Sequence, residues 1–197
     1  GMTVDAVNDL LNKKSGLLGF SGVSSDMRDI LAAVDAGNER AALALNMCAY
    51  GIAKYVGAYH AILPRTDAIV FTAGFAEAGP EGAALQSRMV AAARAGGMRL
   101  LGPNCLGVFN PAEGYYGTFT IALDTGLMPA GPVAIVSQSG AYGAHLAHLA
   151  RQRGMGLSHW VTTGNECDID VSETLRWVVD RPETRVVMAY AEGVKDR

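Results

Sequence analysis

A short apolar run in the second half of the chain ends in residues that could bind an anion. Residues 133–136 (Val-Ala-Ile-Val) are followed by Ser137, Gln138, Ser139 and Gly140, and then by apolar residues at helical spacing: Tyr142, Leu146, Leu149 and Ala150. This order predicts a strand, a tight turn and a helix. The first N–H groups of a helix lack partners within it, and the helix dipole is positive at this end. Such a helix start is suited to binding an anion, most often a phosphate. The alternative is a capped helix with small residues in its turn and no ligand.

The composition narrows the classes of fold and partner. Half of the 197 residues are hydrophobic, 24 are glycine and 7% are aromatic, which is typical of an α/β protein with many strand-to-helix turns. A net charge of −3 without a basic block argues against nucleic acid and anionic membranes as partners. Three well-separated cysteines, no leader and no membrane span predict a reducing compartment, so we expect the chain to be cytoplasmic.

The turn at 137–140 needs a sheet to position it. From residue 67 onward strand and helix patterns alternate, with strands expected at 67–72, 99–101, 133–136, 157–162 and 185–190 and a further one at 118–123. The pattern predicts an α/β fold with a doubly wound, mostly parallel sheet. Ligands of such sheets bind beyond the carboxyl ends of the strands, where four loops are expected to meet: 73–79, 102–107, 137–140 and 163–167.

The first 66 residues do not share this alternation and predict an all-helical segment. We expect a helix ending at Lys13, a turn-rich connection over 17–22, and a helix that Ser24 or Ser25 caps. A longer third helix is expected to be capped by Asn38 and closed by Pro64.

Five motifs, in order, show a resemblance over residues 75–197. They read Gly-Phe-Ala-Glu-Ala-Gly-Pro-Glu-Gly (74–82), Gly-Pro-Asn-Cys-Leu-Gly (102–107), Val-Ser-Gln-Ser-Gly (136–140), Gly-Asn-Glu-Cys-Asp-Ile-Asp (164–170) and Tyr-Ala-Glu-Gly-Val-Lys-Asp (190–196). This part resembles the NDP-forming acyl-CoA synthetases, which include the succinyl-CoA synthetase α subunit. The resemblance implies a Rossmann-like unit ending near 101 and a truncated flavodoxin-like ligase-CoA domain over 102–197.

Residues 1–74 resemble a different family, the C-terminal part of acetate kinase. The motifs are Leu-Asn-Lys-Lys-Ser-Gly-Leu-Leu-Gly (11–19), Ser-Gly-Val-Ser-Ser-Asp-Met-Arg-Asp-Ile (21–30), Ala-Lys-Tyr-Val-Gly-Ala-Tyr (53–59) and Asp-Ala-Ile-Val-Phe-Thr-Ala-Gly (67–74). We therefore expect a chimera, natural or engineered, whose junction lies within 67–101.

The synthetase resemblance implies roles for individual residues. Ser137, Gln138, Ser139 and Gly140 would hold a phosphate during phosphoryl transfer, and Asn104 and Cys105 would form the wall of the CoA and acyl site. Glu192 would have a supporting catalytic role by stabilising a phosphorylated histidine. The alternative interpretation is that Glu192 is a solvated carboxylate at a strand end without a catalytic role. Cys105 is expected to be a buried free thiol, not a nucleophile.

The acetate-kinase resemblance implies a weak nucleotide contact at Asp26, Met27 and Arg28, with Gly74 and Glu77 in the adenosine loop. The alternative, which we prefer, is an ion pair of Arg28 with Asp29 or a neighbour. Nucleotide binding is therefore not expected.

The family's phosphate-carrying histidine has no counterpart by motif in this sequence, nor do its Gly-rich CoA-binding unit and ATP-grasp domain. His145 and His148 do not predict a metal site. Three interpretations stay open: a module that binds phosphate or CoA without turnover, a synthetase component completed by an ATP-grasp partner, and a structural chimera without a ligand. Incomplete parental domains would also favour a homo-oligomer.

Overall fold

The computed structural model describes residues 1–72, 74–76 and 79–194 and divides the chain into two compact units, Gly1–Arg65 and Thr66–Arg197. Each unit has its own secondary structure. The first is helical and the second is a mixed α/β unit with a mostly parallel, flavodoxin-like sheet, which confirms the predicted fold class.

The Gly1–Arg65 unit consists of α1 (Val4–Lys13), α2 (Gly16–Ser21), α3 (Met27–Asp35) and α4 (Glu39–Ile62), with α2 and α3 both packed on α4. Asn38 caps α4 as expected, its side chain accepting from the N–H of Ala41. Although α4 has 24 residues, none of the described helices combines the length and apolar character needed to cross a bilayer.

Two predictions for this unit are wrong. The segment 17–22 was expected to be a connection, but it forms most of α2, which Gly22 ends at a φ of 68° that glycine adopts without strain. The cap of α3 is Asp26, whose carboxylate accepts from the N–H of Arg28, and not Ser24 or Ser25. The Ser24 hydroxyl instead accepts from the N–H of Asp26, so the helix cap is the residue that follows the two serines.

The Thr66–Arg197 unit contains two sheets. Strands β1 (Ala68–Val70) and β2 (Arg99–Leu101) pair in parallel, and α5 (Pro80–Ala95) lies between them in sequence. The second sheet has the order β4-β3-β6-β5-β7. Its elements are β3 (Gly107–Asn110), β4 (Tyr115–Thr118), β5 (Ala130–Ser137), α6 (Gly140–Gln152), β6 (Leu157–Thr162), α7 (Val171–Val179) and β7 (Val186–Tyr190).

Strand β5 lies between β6 and β7 in the five-stranded sheet and is parallel to both, whereas β3 is antiparallel to β4 and β6. Helix α6 covers one face of the sheet, where Trp160 stacks on Phe109 with ring centroids 4.8 Å apart. Helix α7 covers the other face through Val171 and Val178. Because β5 is covered on both faces, its sequence is a continuous apolar run. The same packing fixes the position of the turn that follows β5.

The structure corrects three details of this unit. The expected strand at 118–123 is instead the end of β4 followed by a 3-10 turn (Ile121–Leu123), and the β3–β4 hairpin was not predicted. Strand β1 spans only Ala68–Val70 of the expected 67–72 and is exposed or half-buried along its length. The buried face of α6 is Gly143, Ala147 and Ala150, and Tyr142 is 43% exposed.

The small residue at 143 explains the position of α6. A Cβ at Gly143 would lie 2.9 Å from Cγ2 of Thr162, so the helix approaches β6 at a distance that only glycine allows. The indole N–H of Trp160 donates to the carbonyl of Gly143 at 2.8 Å, which ties the same turn of the helix to the sheet.

Candidate functional site

A cavity of about 340 Å³ lies at the carboxyl ends of β2, β5, β6 and β7. Six of the residues that the sequence singled out line it together: Asn104, Cys105, Gln138, Ser139, Gly140 and Glu192. They come from two of the four predicted loops, 102–107 and 137–140, and from the end of the last strand. The rest of the lining is Thr72, Leu106, Phe119, Ala141, Gly164 and Asn165.

The start of α6 opens into this cavity. Ser139 is the N-cap, with an extended backbone, and its hydroxyl accepts from the N–H of Tyr142 at 3.3 Å. The N–H groups of Gly140 and Ala141 lie in the first turn and have no acceptor within the helix. The cavity therefore contains two backbone donors at the positive end of a helix of 13 residues.

Gly140 lets a neighbouring loop close over this helix start. A Cβ at this position would lie 2.7 Å from Cγ of Leu106, another residue of the cavity wall. The glycine in the Ser-Gln-Ser-Gly motif is thus required by the close approach of the loop at 102–107.

Ser137 supports the turn from behind and does not line the cavity. The residue is fully buried, and its hydroxyl donates to the carbonyl oxygen of Ser139 at 2.7 Å. The expectation that Ser137 offers its hydroxyl to a phosphate thus does not match its place in the structure, because the group is already used within the turn.

Both ends of the Gln138 amide are held by the protein. Its Nε2 donates to Oε2 of Glu166 at 2.8 Å and to the carbonyl of Gly193 at 2.7 Å. Its Oε1 accepts from the N–H of Gly193 at 3.0 Å and from that of Glu192. Gln138 therefore links the turn after β5 to the segment after β7 and positions Glu192 at the rim of the cavity.

Glu166 is a buried residue of this site that the sequence reasoning did not single out. It is 4% exposed, and its carboxylate also accepts from the hydroxyl of Thr163 at 2.8 Å and from the N–H of Val171 at 2.7 Å. Three donors compensate for the burial of its charge, and the start of α7 adds a favourable dipole. The sequence signal for this role was the position of Glu166 within the motif 164–170, shortly before the start of α7.

The loop at 102–107 contributes one exposed and one buried side chain. Asn104 is exposed, has a φ of 56°, and donates from Nδ2 to Oδ1 of Asn165 at 3.3 Å. Cys105 is 1% exposed, and its thiol lies 3.4 Å from the carbonyl of Phe71. Burial raises the pKa of the Cys105 thiol, so the reactive thiolate is disfavoured.

Charge around the cavity is sparse. Among the described lining residues, Glu192 is the one acidic or basic residue, and it is exposed at the rim. Attraction for an anion must therefore come from N–H groups and side-chain amides, without a lysine or arginine in the lining.

The residues proposed for a weak nucleotide contact belong to the Gly1–Arg65 unit. Arg28 donates from Nε to Oδ1 of Asp26 at 3.0 Å, and hydrogen bonds from Arg28 lower the pKa of Asp26 to about 2. The ion pair preferred from the sequence is present, with Asp26 as the hydrogen-bonded partner. Met27 begins α3, Gly74 is exposed, and Glu77 lies outside the described residues.

Two family models match different parts of the chain. The Acetokinase family model matches residues 1–100, and the model described as Succinyl-CoA ligase like flavodoxin domain matches residues 130–197. The first match extends past residue 74, where the acetate-kinase motifs end, and includes α5 and β2.

Curated relatives show the same division. Acetate kinase of Heliobacterium modesticaldum is 58% identical over 80 residues, which are 41% of this chain and 20% of that protein. Acetate–CoA ligase [ADP-forming] II subunit alpha of Pyrococcus furiosus is 36% identical over 129 residues, 65% of this chain and 27% of that protein. The chain thus spans about a quarter or less of the length of these relatives, and the two matched lengths together exceed its 197 residues, so they overlap.

A solved structure supports the fold of the second part. The dinucleotide forming acetyl-coenzyme A synthetase 1 of Candidatus Korarchaeum cryptofilum, in complex with phosphate and ADP, matches with a TM-score of 0.59 and 33% identity. The match covers 66% of this chain and 27% of that one. Because the acetokinase model covers half of its length, the chain belongs to the acetokinase family, and it is chimeric, joining that part to a succinyl-CoA ligase-like flavodoxin domain.

Proposed function

We propose that the Thr66–Arg197 unit is an acyl-CoA synthetase module that binds a phosphate or phosphoryl group against the start of α6. The observation that carries this proposal is the convergence of Asn104, Ser139, Gly140 and Glu192 on one cavity into which the first N–H groups of α6 open. The Korarchaeum relative was solved in complex with phosphate and ADP, which supports phosphate as the ligand to test first.

The proposed role is binding and not transfer by this unit alone. Cys105 is buried with a raised thiol pKa, the hydroxyl of Ser137 is used within the turn, and that of Ser139 caps α6. None of these lining or supporting groups is an activated nucleophile, which needs an adjacent base or a lowered pKa. By the resemblance, CoA or an acyl group would lie against Asn104 and Cys105.

Phosphate titration followed by NMR tests the binding. We expect the amide signals of Gly140 and Ala141 to move on addition of millimolar inorganic phosphate, with smaller changes at Asn104. If these signals stay in place at tens of millimolar phosphate, the unit has no phosphate site at this helix and the proposal fails.

Two variants of one residue provide a matched comparison. Aspartate and asparagine both cap helices as well as serine, so Ser139→Asp and Ser139→Asn should both fold. Ser139→Asn keeps a neutral site, whereas Ser139→Asp places a negative charge beside the ligand and should weaken phosphate binding by about tenfold or more. Equal affinities of the two variants would show that phosphate binds elsewhere.

A second function is favoured by the name of one relative. The Pyrococcus protein is a subunit alpha, so we also propose that this chain is completed by a partner chain with an ATP-grasp domain. Size-exclusion chromatography with light scattering, with and without the ATP-grasp subunit of such an enzyme, tests this. A stable complex is expected, and an unchanged elution of both chains would rule the pairing out.

A further inference from the structure

The second half of α4 has no cover within the described part of the chain. Ala41 and Ala44, near its start, are the two buried residues of the helix, whereas every residue of 52–62 is exposed. Helices α2 and α3 pack on α4, and Arg40 in its first turn donates from Nε to the carbonyl of Phe20 in α2 at 3.2 Å. The start of α4 is therefore covered, and about three turns at its end face solvent.

Apolar side chains of this exposed half form a single stripe along the helix. Steps of three and four residues place them on one face of α4, which is also the face of the buried Ala41 and Ala44. The stripe thus continues, without cover, the face that is buried at the start of the helix. This spacing is the one by which a helix packs against a second helix. The members of this α4 stripe are 45–79% exposed: Ile52, Tyr55, Val56, Tyr59, Ile62 and Leu63.

The residues around the α4 stripe do not discriminate against an identical helix. Lys54 is the one lysine, arginine, aspartate or glutamate between residues 41 and 62. In paired helices, the positions that flank the apolar seam usually carry the charges that set the choice of partner. Here Gly51 and Ala58 occupy such positions, so nothing repels a second copy and the two backbones can approach closely.

The exposed area of the α4 stripe is sufficient for self-association. A fully buried tyrosine removes about 150–250 Å² from water and an aliphatic side chain about 60–120 Å². With the exposed fractions of its six members, the stripe offers about 500 Å² per copy, or about 1,000 Å² for a pair of copies. This is the lower limit of a specific protein–protein interface, so a dimer should form with modest affinity.

We propose that a second copy of this chain packs on the α4 stripe, so that the two α4 helices form an antiparallel pair about a two-fold axis. Because the start of each α4 is covered, an antiparallel pair places α2 and α3 of the two copies at opposite ends, whereas a parallel pair would crowd them at one end. With the axis between Val56 and Tyr59, Val56 packs against Tyr59 of the partner subunit. Ile52 then packs against Leu63 of the partner subunit.

The oligomeric state of the intact chain tests this proposal. Sedimentation equilibrium should show a dimer with a dissociation constant in the micromolar range, as an interface of about 1,000 Å² predicts. We therefore expect mostly dimer at about 100 μM chain and mostly monomer at about 0.1 μM. A chain that stays monomeric at about 100 μM would overturn the proposal, including one whose α4 stripe is covered by another part of the same chain.

Two matched variants identify the face through which the copies pair. Tyr59 and Tyr50 are 61% and 73% exposed, and their separation of nine residues puts them on opposite faces of α4. Tyr59→Glu places a carboxylate of each copy in the apolar interface and should raise the dissociation constant at least about 100-fold. Tyr50→Glu should leave it unchanged within about twofold. Both should fold, because glutamate favours helix more than tyrosine does. Equal effects of the two variants would refute pairing through the α4 stripe.

Disulfide trapping tests the direction of the pair. Ile52→Cys and Leu63→Cys chains, mixed and oxidised, should give a covalent dimer, because the two positions face each other in the antiparallel pair. Each variant alone should give no more covalent dimer than the original chain, whose three free cysteines provide the blank. Cross-linking of Ile52→Cys to itself, or none in the mixture, would refute the antiparallel arrangement.

Discussion

Removal of the Gln138 amide should destabilise the region around the cavity at the start of α6, and the loss in free energy of unfolding can be estimated from the structure. Gln138→Ala deletes a donor to the buried carboxylate of Glu166 and the links to the main chain at 192–193. A hydrogen bond to a charged group contributes about 1.5–3 kcal/mol, and the exposed main-chain links add about 0.5–1 kcal/mol since water replaces them. We expect the free energy of unfolding to fall by about 2–4 kcal/mol.

A charged replacement at the same position should cost more. In Gln138→Glu a second carboxylate faces Glu166 where Nε2 now lies 2.8 Å from Oε2. At an effective dielectric constant near 20, two like charges about 4 Å apart repel by about 4 kcal/mol, so this variant should be less stable than Gln138→Ala at pH 7. The repulsion raises the pKa of the pair in the folded state, so the difference should shrink as the pH falls from 7 and vanish below about 4.3, the ordinary pKa of a glutamate.

Urea unfolding followed by tryptophan fluorescence measures both effects, because Trp160 and Trp177 are the only two tryptophans and both lie in the Thr66–Arg197 unit. Gln138→Met is the matched control, since it keeps the length of the side chain and removes its hydrogen bonds. If the free energies of unfolding of the alanine and methionine variants both lie within about 0.5 kcal/mol of that of the original chain, the hydrogen bonds of Gln138 do not stabilise the site and the reasoning is refuted.

Three further perturbations follow from the packing and charge of the same unit. Gly140→Ala should destabilise it by about 1–3 kcal/mol through contact with Leu106, and Leu106→Ala in the same chain should recover part of that loss in urea unfolding. Burial alone would raise the pKa of Asp168, but hydrogen bonds from Arg99 and a backbone N–H lower it overall, so Asp168→Asn should cost about 1–2 kcal/mol at pH 7. The difference in free energy of unfolding between the original chain and Asp168→Asn should decline as the pH falls below about 4. A carboxylate whose pKa is lowered by folding contributes stability only while it is ionised in the folded chain, so a difference that stays constant would contradict the pairing. Cys105 should react with iodoacetamide at least about tenfold more slowly in the folded chain than in urea, as mass spectrometry can follow, and equal rates would show that the thiol is accessible.

The sequence allowed the parts of the fold that depend on local patterns to be predicted. The strand 133–136 and the cap at Asn38 follow from periodicity and capping chemistry, and both are present in the structure. Motif resemblance placed the residues of one cavity on separate loops, and the parallel strands brought those loops to one edge.

Features that depend on distant partners could not be read from local patterns. The β3–β4 hairpin was missed because its turn lacks a two-residue Gly or Asn signal, and its stability comes from Phe109 stacking on Trp160. The ion pairs of Arg99 with Asp168 and Glu173 join residues about 70 positions apart. Ser137 is buried where Gly143 of α6 approaches it, a Cβ at Gly143 lying 3.1 Å from that of Ser137, and no local pattern reports this contact.

Diffraction from crystals of the intact chain grown with arsenate tests the central claim most directly. Arsenate has the shape and charge of phosphate, and the anomalous signal of arsenic marks its position. We predict a peak within hydrogen-bond distance, about 2.7–3.2 Å from oxygen to nitrogen, of the N–H groups of Gly140 and Ala141. A well-ordered site elsewhere on the unit, with no anion at the start of α6, would contradict the account.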